Sequence, residues 1–249
     1  MRRYGLIGYP LTHSFSKRFF TEKFETENIE SSYDNFEIDS IQKFPEIIIN
    51  NPELVGLNVT IPYKEQVIPY LNELNDSARE IGAVNTVKIT RTSAGIYLKG
   101  FNTDTFGFEN SIKPLLKEYH KKALILGTGG ASKALKFVLN KLSIEFISAS
   151  IEELKDNEIR YDEVDEKMMT ERLLIINATP LGTYPKTESF PAIPYEFITE
   201  KHLLFDLVYN PEVTQFMSKG KARGATVKNG YEMLLGQALR SYEIWNSEE

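Results

Sequence analysis

The sequence predicts an α/β protein with two domains. Short apolar runs alternate with helical patterns along the whole chain of 249 residues, and this order is typical of mostly parallel sheets covered by helices. The elements fall into two blocks that divide near residue 103, and a glycine-rich turn joins a strand to a helix inside the second block. We expect a cleft between the two domains, because clefts of this kind hold small ligands.

The first block contains a series of short predicted strands that end at glycine, proline or polar clusters. After the first strand, Ser14 and Ser16 can cap a helix that carries phenylalanines on or near one face. Further helices are predicted over Ser40–Ile49 and from Tyr63. The predicted strands are Arg3–Gly8, Tyr33–Ile38, Gly56–Ile61, Ala83–Ile89 and Gly95–Phe101.

The second block begins with a helix and then alternates strands with helices. The first helix is predicted over Asp104–Tyr119 and the last over Tyr231–Trp245. The segment Ser150–Thr170 is polar and is interpreted as an irregular surface region. The predicted strands are Lys122–Leu126, Ile144–Ala149, Leu173–Asn177, Leu203–Leu207 and Ala225–Lys228.

The turn at Gly127–Ser132 reads Gly-Thr-Gly-Gly-Ala-Ser and lies between a predicted strand and a helix predicted over Ala131–Leu142. Glycines let the backbone turn sharply and approach a pyrophosphate, while the N–H groups at the helix start face the anion. The turn therefore predicts a nucleotide site in a Rossmann-like, doubly wound domain. Ser132 stands where a third glycine is usual, so an ordinary glycine turn that opens a helix is the alternative.

The composition argues against several classes of function. A formal net charge of −6 disfavours nucleic-acid binding. Because the chain has no cysteine, disulfides and thiolate nucleophiles are excluded. The three histidines, His13, His120 and His202, are far apart in sequence, so no metal site is expected. No apolar run approaches the ~20 residues of a membrane span, and the N-terminus shows no signal-peptide core, so a cytoplasmic location is expected.

Lys64 and Asp104 are the candidate catalytic pair. Lys64 follows a predicted strand near a helix start, where a cation opposes the helix dipole. Asp104 opens the helix after Gly95–Phe101. A carboxylate that holds the amine and a substrate hydroxyl would let the lysine take or return the hydroxyl proton without a histidine. The alternatives are a solvated surface lysine and an aspartate that only caps its helix.

Other polar residues follow predicted strand ends, where α/β sheets bind ligands. Asn85 follows a glycine turn, and Asn177–Gly182 and Asp206–Pro211 are polar loops of the second block. Gln237 lies among apolar neighbours in the last helix, which is an unusual choice unless its amide meets a partner.

Taken together, these residues resemble the shikimate dehydrogenase family. Each motif is short, but eight of them occur in the family's order and cover nearly the whole chain. They are Tyr9-Pro10-Leu11 with Ser14 and Ser16; Asn58-Val59-Thr60 with Lys64; Gly82-Ala83-Val84-Asn85-Thr86; Asn102-Thr103-Asp104; Gly127 to Ser132; Asn177-Ala178-Thr179-Pro180; Asp206 with Tyr209-Asn210-Pro211; and Gly230 with Met233, Leu234 and Gln237.

The resemblance implies an NADP-linked oxidoreductase that interconverts 3-dehydroshikimate and shikimate, in the chorismate pathway to aromatic amino acids. It implies a substrate-binding domain made of residues 1–103 and 231–249, and a nucleotide-binding domain made of residues 104–230. The expected partner is the small-molecule substrate, and the expected assembly is a monomer or a homodimer.

By the same resemblance, Lys64 and Asp104 are catalytic, and Ser14 and Ser16 bind the substrate carboxylate with help from Tyr209. Several directed partners are needed for the ring hydroxyls, because an unpaired buried hydroxyl costs ~1–3 kcal/mol. These partners are Thr60, Asn85, Asp104 and Gln237. The implied cofactor-binding residues are Gly127, Thr128, Gly129, Gly130, Ala131, Ser150, Thr179, Leu207 and Gly230.

One stretch departs from the family pattern. Members that use NADP usually carry Asn-Arg-Thr after the second strand of the nucleotide domain, where the arginine meets the 2′-phosphate. Here Ile151 takes the arginine's place, Glu152 would repel a phosphate, and Lys155 lacks the bidentate fork of a guanidinium. NADP is the expected cofactor, with NAD as the alternative. The alternative functions are an NAD-using quinate/shikimate dehydrogenase and a non-catalytic metabolite sensor of the same fold.

Overall fold

The computed structural model describes residues 1–11, 14–152 and 154–247. The chain divides into two compact units. Unit 1 comprises Met1–Thr103 with Gln237–Glu249, and unit 2 comprises Asp104–Gly236. Each unit contains one six-stranded sheet, which confirms the predicted α/β class. Among the described residues, no helix has the length and apolar character to cross a membrane.

The sheet of unit 1 mixes parallel and antiparallel strands. Its strands are β1 (Arg2–Gly8), β2 (Ser31–Glu37), β3 (Leu54–Val59), β4 (Glu73–Leu74), β5 (Thr86–Thr92) and β6 (Gly95–Phe101), in the order β2-β1-β3-β5-β6-β4. Strand β1 is parallel to β2 and β3, whereas β5 is antiparallel to both β3 and β6. The ends of β1, β3 and β6 and the start of β5 therefore share one edge of the sheet.

Helices cover this sheet and bury aromatic side chains against it. They are α1 (Phe15–Thr26), α2 (Phe44–Asn50), α3 (Asp76–Ile81) and the end of the last helix, α8 (Tyr231–Asn246). Phe20 and Phe24 of α1 are buried beside Trp245 of α8. The indole lies against Gly56 of β3 and donates its N–H to the carbonyl of Val87 at 3.1 Å. A side chain at position 56 would collide with the indole, so this close approach requires glycine.

The sheet of unit 2 is entirely parallel. Its strands are β7 (Lys122–Leu126), β8 (Glu145–Ser150), β9 (Glu158–Arg160), β10 (Leu174–Asn177), β11 (Leu203–Asp206) and β12 (Thr226–Asn229). Their order is β12-β11-β10-β7-β8-β9. After β7 the chain adds β8 and β9 on one side of it, and then adds β10, β11 and β12 on the other side. This is the Rossmann order, and its switch point lies between β7 and β10.

Helices lie on both faces of the parallel sheet. Unit 2 contains α4 (Asp104–Ile112), α5 (Gly130–Lys141), α6 (Glu166–Glu171), α7 (Gln215–Lys221) and the start of α8. Along β7, Ala123 and Ile125 join one apolar core, whereas Leu124 and Leu126 join the core on the opposite face. Parallel strands that are covered on both faces read as continuous apolar runs, which is why sequence analysis located them closely.

Several elements differ from their sequence-based predictions. The α-helix predicted to begin at Tyr63 does not form. A short 3-10 turn occurs instead at Ile68–Tyr70, where Pro69 prevents a longer helix. The helix predicted over Asp104–Tyr119 ends at Ile112 and continues only as a 3-10 turn at Lys113–Leu115, because Pro114 has no N–H for an α-helical hydrogen bond. Within Ser150–Thr170 the prediction of irregular structure is wrong, since β9 and α6 lie there.

The unit boundary falls inside α8. The predicted domain boundary before Tyr231 would assign all of α8 to the first domain, whereas the compact units divide after Gly236. Met233 is buried in the core of unit 2, with Phe108 and Phe205. Trp245, at the other end of the same helix, is buried in unit 1. One continuous helix thus contributes to both cores.

Two buried histidines lie at one end of the unit 2 sheet, opposite the end that carries the glycine turn. Each ring accepts at Nδ1 from a backbone N–H three residues earlier in the chain. Each Nε2 faces a backbone carbonyl, that of Lys201 for His120 at 3.0 Å and that of Met169 for His202 at 2.9 Å. Because a carbonyl only accepts, Nε2 must donate and the ring is neutral. Burial lowers the pKa of both histidines.

We expect the titration of His120 and His202 to destabilise the protein as the pH falls from 7 to 5. A folded-state pKa below the unfolded value of about 6.5 means that the unfolded chain binds more protons in this window, so stability rises with pH. The double variant H120N/H202N keeps an acceptor near each Nδ1 but cannot titrate. Urea unfolding should show that it is less stable at pH 7, and that its stability falls less between pH 7 and pH 5. An unchanged pH dependence in the double variant would contradict the assignment.

Candidate active site

The predicted substrate-binding residues of unit 1 lie along one edge of its sheet. Thr60 follows the end of β3, and Ser14 caps α1 after the end of β1, where its Oγ accepts from the N–H of Lys17 at 3.1 Å. Asn85 directly precedes β5, which runs antiparallel to β3, so it belongs to the same edge. The carbonyl of Lys64 accepts from the N–H of Val84 at 2.7 Å. The loop that carries Lys64 is therefore fixed beside the segment that carries Asn85.

Asn85 is buried and its side chain is held by three donors. Its Oδ1 accepts from the backbone N–H of Thr103 at 2.7 Å, from the Thr103 hydroxyl at 3.1 Å and from the Thr86 hydroxyl at 3.2 Å. These bonds fix the rotation of the amide and tie the start of β5 to the end of β6. They also position Thr103, the residue before Asp104.

A second buried network connects α1, β2, β3 and α8. Asn58 Oδ1 accepts from the Tyr33 hydroxyl at 2.7 Å, and Asn58 Nδ2 donates to Ser241 Oγ at 3.0 Å. The Ser16 side chain is hydrogen-bonded to Tyr33, and burial raises the pKa of Tyr33, so its hydroxyl stays neutral. Ser241 Oγ donates to the carbonyl of Gln237 at 2.9 Å. Ser16 and Gln237 are thus connected through a continuous set of buried polar groups.

Two further predicted residues belong to unit 2. Asp104 is the first residue of α4 and is partly buried. Tyr209 follows β11 and is 38% exposed. Lys64 is likewise partly buried in unit 1. The roles of these three side chains stay predictions.

The Rossmann switch point of unit 2 forms a cavity of about 330 Å³. Three segments line it: the turn after β7, the end of β8 with the residues after it, and the loop after β10. The structure thereby brings together five of the predicted cofactor residues, Gly127, Thr128, Gly129, Ser150 and Thr179. Gly130 is the first residue of α5, and Ala131 is the second.

The turn after β7 needs its glycine and leaves the start of α5 without a side-chain cap. Gly127 has φ +98°, and a Cβ there would lie 2.8 Å from a methyl of Thr179. In the described part of the chain, no side chain caps the N-terminus of α5, which begins after Gly129. Ser132 is buried and its hydroxyl donates to the carbonyl of Gly129 at 2.7 Å, which accounts for serine at the usual third glycine. The uncapped helix start is suited to a phosphate.

The other two predicted cofactor residues meet at neighbouring strand ends. Leu207 follows β11, and Gly230 follows β12. A side chain at position 230 would collide with the carbonyl of Leu207, so glycine is required for this contact. Ser150, in contrast, uses its hydroxyl within the protein: it lies 3.2 Å from Thr128 Oγ1 and accepts from the N–H of Glu152 at 3.1 Å.

A buried carboxylate orders the loops after β10 and β11. Asp206 Oδ1 accepts from Asn177 Nδ2 at 2.9 Å and from the Val208 N–H at 3.0 Å, and Oδ2 accepts from the Thr214 hydroxyl at 2.6 Å. Asn177 Oδ1 in turn accepts from the Thr179 hydroxyl at 2.6 Å. Burial raises the pKa of Asp206 to about 6, and the hydrogen bonds reduce that effect.

Within residues 1–11, 14–152 and 154–247, no three histidines or carboxylates come together as a metal site. His13 lies outside these residues. The polar groups at both sheet edges are suited to binding and proton transfer.

Comparison with known proteins identifies relatives over the full chain. The shikimate dehydrogenase (NADP(+)) of Methanosphaera stadtmanae is 35% identical over 98% of this chain and 91% of its own length. The enzyme of the same name from Clostridium beijerinckii is 36% identical over 98% of this chain and 92% of its own length. The chain belongs to the shikimate dehydrogenase family.

Both units are covered by these similarities. The family model described as the shikimate dehydrogenase substrate binding domain matches residues 6–87, within unit 1. The crystal structure of a chorismate mutase/shikimate 5-dehydrogenase fusion protein from Clostridium acetobutylicum superimposes with a TM-score of 0.85 and 36% identity, over 99% of this chain and 91% of that chain. The predicted fold class and family are thereby confirmed.

Sequence reasoning did not single out Tyr33, Ser241 or Thr214 in this shikimate dehydrogenase homologue. Ser241 is a polar residue on the face of α8 that also carries Gln237, one helical turn earlier, and this i, i+4 spacing was an available signal. Thr214 caps α7 through the N–H of Met217, which is a recognisable N-cap pattern. Its bond to Asp206 depends on a contact between two loops, which no local pattern predicts.

We expect Asp206→Asn to flatten part of the pH dependence of stability. The folded-state pKa of about 6 exceeds the usual value near 3.8, so the folded chain binds more protons between these values and loses stability as the pH rises. This loss is on the order of 3 kcal/mol. In the variant, Oδ1 can still accept from Asn177, and the new amide can donate to Thr214. Urea unfolding at pH 4 to 7 should show the variant gaining relative stability with rising pH.

The matched control is Asp156→Asn, which removes an exposed carboxylate from the same unit. Its stability relative to the wild type should stay nearly constant over the same pH range. Parallel curves for Asp206→Asn and the wild type would mean that the Asp206 carboxyl is not destabilised by burial.

Proposed function

We propose that this protein is a shikimate dehydrogenase, which reversibly reduces 3-dehydroshikimate to shikimate with NADP(H) in chorismate biosynthesis. The observation that carries the proposal is an identity of 35–36% with NADP(+)-dependent shikimate dehydrogenases that extends over 98% of the chain. The similarity therefore includes both the sheet edge of unit 1 and the nucleotide cavity of unit 2. Steady-state oxidation of shikimate with NADP+, followed by NADPH absorbance, tests it.

The cavity of unit 2 fits the nucleotide. Gly127 is packed so tightly against Thr179 that only a glycine backbone can line this wall. On another wall, the buried hydroxyl of Tyr161 has no hydrogen-bond partner within residues 1–11, 14–152 and 154–247. The backbone from Gly127 to Ala131 would hold the pyrophosphate, and Leu207 and Gly230 would lie near the nicotinamide. When bound, NADPH supplies the hydride.

The edge of unit 1 suits a small polar acid. Ser14 and Ser16 would bind the substrate carboxylate at the start of α1, where the helix dipole favours an anion, and Tyr209 would add a donor. Ser14 Oγ already accepts from a backbone N–H, so its own proton is available for a carboxylate. Ser16 would turn its hydroxyl from Tyr33 toward the carboxylate.

The remaining polar residues would bind the ring hydroxyls. Thr60, Asn85 and Gln237 come from three separate elements, and the burial of Asn85 and Gln237 makes their hydrogen bonds specific. A substrate that lacks one hydroxyl would leave a buried polar group unpaired, so the site would discriminate against it.

Lys64 and Asp104 would handle the proton of the reacting hydroxyl. Asp104 would hold the hydroxyl and the lysine amine, and Lys64 would give the proton during reduction and take it during oxidation. The bond between the Lys64 carbonyl and Val84 fixes the backbone of the lysine, and the bond between Thr103 and Asn85 fixes the residue before the aspartate. A pure sensor would not need such a pair.

We expect Lys64→Ala to reduce kcat for shikimate oxidation by roughly a hundredfold to ten-thousandfold, the usual range for general acid–base catalysis. Shikimate should still bind, because the serines and amides that contact it are unchanged. Activity assays and isothermal titration with shikimate measure the two effects. Lys167→Ala, an exposed lysine on α6, is the control and should keep wild-type kcat. A near-normal kcat for Lys64→Ala would reject the lysine as proton carrier.

The alternatives predicted from the sequence are not favoured. The relatives from Methanosphaera stadtmanae and Clostridium beijerinckii, which match 98% of this chain at 35–36% identity, are named for shikimate and NADP(+). We also propose that the enzyme acts in the cytoplasm on a small-molecule substrate, as a monomer or a homodimer. Its net charge of −6 argues against a nucleic-acid partner.

A further inference from the structure

The end of β8 lacks the cation that NADP requires. In Rossmann folds the adenosine ribose lies against the end of the second strand, and an arginine there accommodates the 2′-phosphate. In unit 2 the second strand is β8, which ends at Ser150. The next residues are Ile151, which is apolar and 84% exposed, and Glu152, whose negative charge at the cavity would repel a phosphate. Neither of these two residues supplies a charge that would attract the phosphate.

The neighbouring strand supplies a guanidinium at this place. Strand β9 runs parallel to β8, and Arg160 is the register partner of Ser150. The Arg160 side chain reaches across the strand end, where Nη1 donates to the carbonyl of Ile151 at 3.4 Å. The guanidinium therefore lies over the residue that replaces the usual arginine.

The charges around Arg160 leave its guanidinium available. In the described parts of the chain, no carboxylate forms an ion pair with it; Glu163 accepts from its backbone N–H at 2.6 Å. Lys136, another cation near β9, is paired with Glu158 at 3.3 Å. Glu152 lines the cavity and carries the opposing charge.

The residue after Arg160 gives an independent indication of a ligand. Tyr161 lines the cavity, and among the residues that the structure describes its buried hydroxyl has no hydrogen-bond partner. Burial raises the pKa of Tyr161 to about 12, so the hydroxyl remains a neutral donor. A bound adenosine moiety would supply the missing partner. Tyr161 thus supplies a donor in the cavity wall, and Arg160 directly precedes it and contacts the carbonyl of the lining residue Ile151.

We propose that Arg160, supplied by β9 and not by the turn after β8, binds the 2′-phosphate and makes the enzyme select NADP(H) over NAD(H). The proposal rests on the proposed function only in taking the cavity as the dinucleotide site. A guanidinium can bind a phosphate through two N–H groups, and this geometry is not available to Lys155.

The test is isothermal titration of wild type and Arg160→Gln with NADP+, NAD+, adenosine 2′,5′-bisphosphate and 5′-AMP. The variant should bind the two ligands that carry a 2′-phosphate about tenfold or more weakly, as expected for one lost charge-assisted contact. Binding of NAD+ and 5′-AMP should change less than about twofold. Arg223→Gln, an exposed arginine of the same unit, is the control and should bind all four ligands as the wild type does.

Further variants separate this role from a structural one. Arg160→Lys should retain part of the 2′-phosphate preference, and Ile151→Arg in the Arg160→Gln background should restore it. The proposal would be overturned if Arg160→Gln weakened the binding of all four ligands equally. It would also be overturned if the variant weakened the binding of none of them. A selective loss of NADP+ binding in Lys155→Gln, with none in Arg160→Gln, would also overturn it.

The outcome is distinguishable from that of the proposed function. If the wild type binds NADP+ in preference to NAD+ through Arg160 but does not oxidise shikimate, the proposed function fails and this inference stands. If the wild type oxidises shikimate but binds NAD+ at least as tightly as NADP+, this inference fails and the dehydrogenase activity stands.

Discussion

Buried polar groups at the strand ends are the constraint on which both candidate sites depend. Strand ends that meet at one edge bring amides, hydroxyls and carboxylates into a region that is largely closed to water, and an unpaired group there is destabilising. In unit 1 the side chain of Asn85 satisfies this condition with Thr86 and Thr103. In unit 2 Asp206 satisfies it with Asn177 and Thr214.

These networks have a consequence for the proposed chemistry. A side chain with several hydrogen-bond partners has one orientation, so the segments attached to it are held in place before any ligand binds. Asn85 orders the residue before Asp104, and Asn177 orders Thr179 at the wall of the cavity. Segments that carry proposed contact residues are therefore held by side chains that themselves have several hydrogen-bond partners.

The proposed role of Arg160 illustrates how a site could keep its function while the residue that performs it lies elsewhere in the sequence. The turn after β8 ends in an apolar residue and an acidic one, which by local sequence would suggest NAD. The parallel pairing of β8 with β9 places Arg160 beside Ser150, although ten positions separate them in the chain. A motif search detects residues that are close in sequence, whereas a phosphate interacts with charges that are close in space.

Much of the fold could be predicted from the sequence, because the strands of unit 2 are covered on both faces and read as continuous apolar runs. The glycine turn also came from a local pattern, which reports backbone freedom directly. The individual cofactor residues were implied by the family resemblance. The failures have local causes as well. Pro69 and Pro114 ended helices that apolar spacing favoured, and the polar segment after Ser150 formed β9 and α6 through contacts with the rest of unit 2.

The sequence by itself determined the α/β class, the place of the nucleotide turn and the family, since each depends on residue types in chain order. Tertiary structure alone decided the pairing of Asp206 with Thr214, the link from Ser16 through Tyr33 to Asn58, and the position of Arg160 over the end of β8. Each of these contacts joins elements whose relation is set by strand register and loop packing. No local preference of the residues encodes that relation.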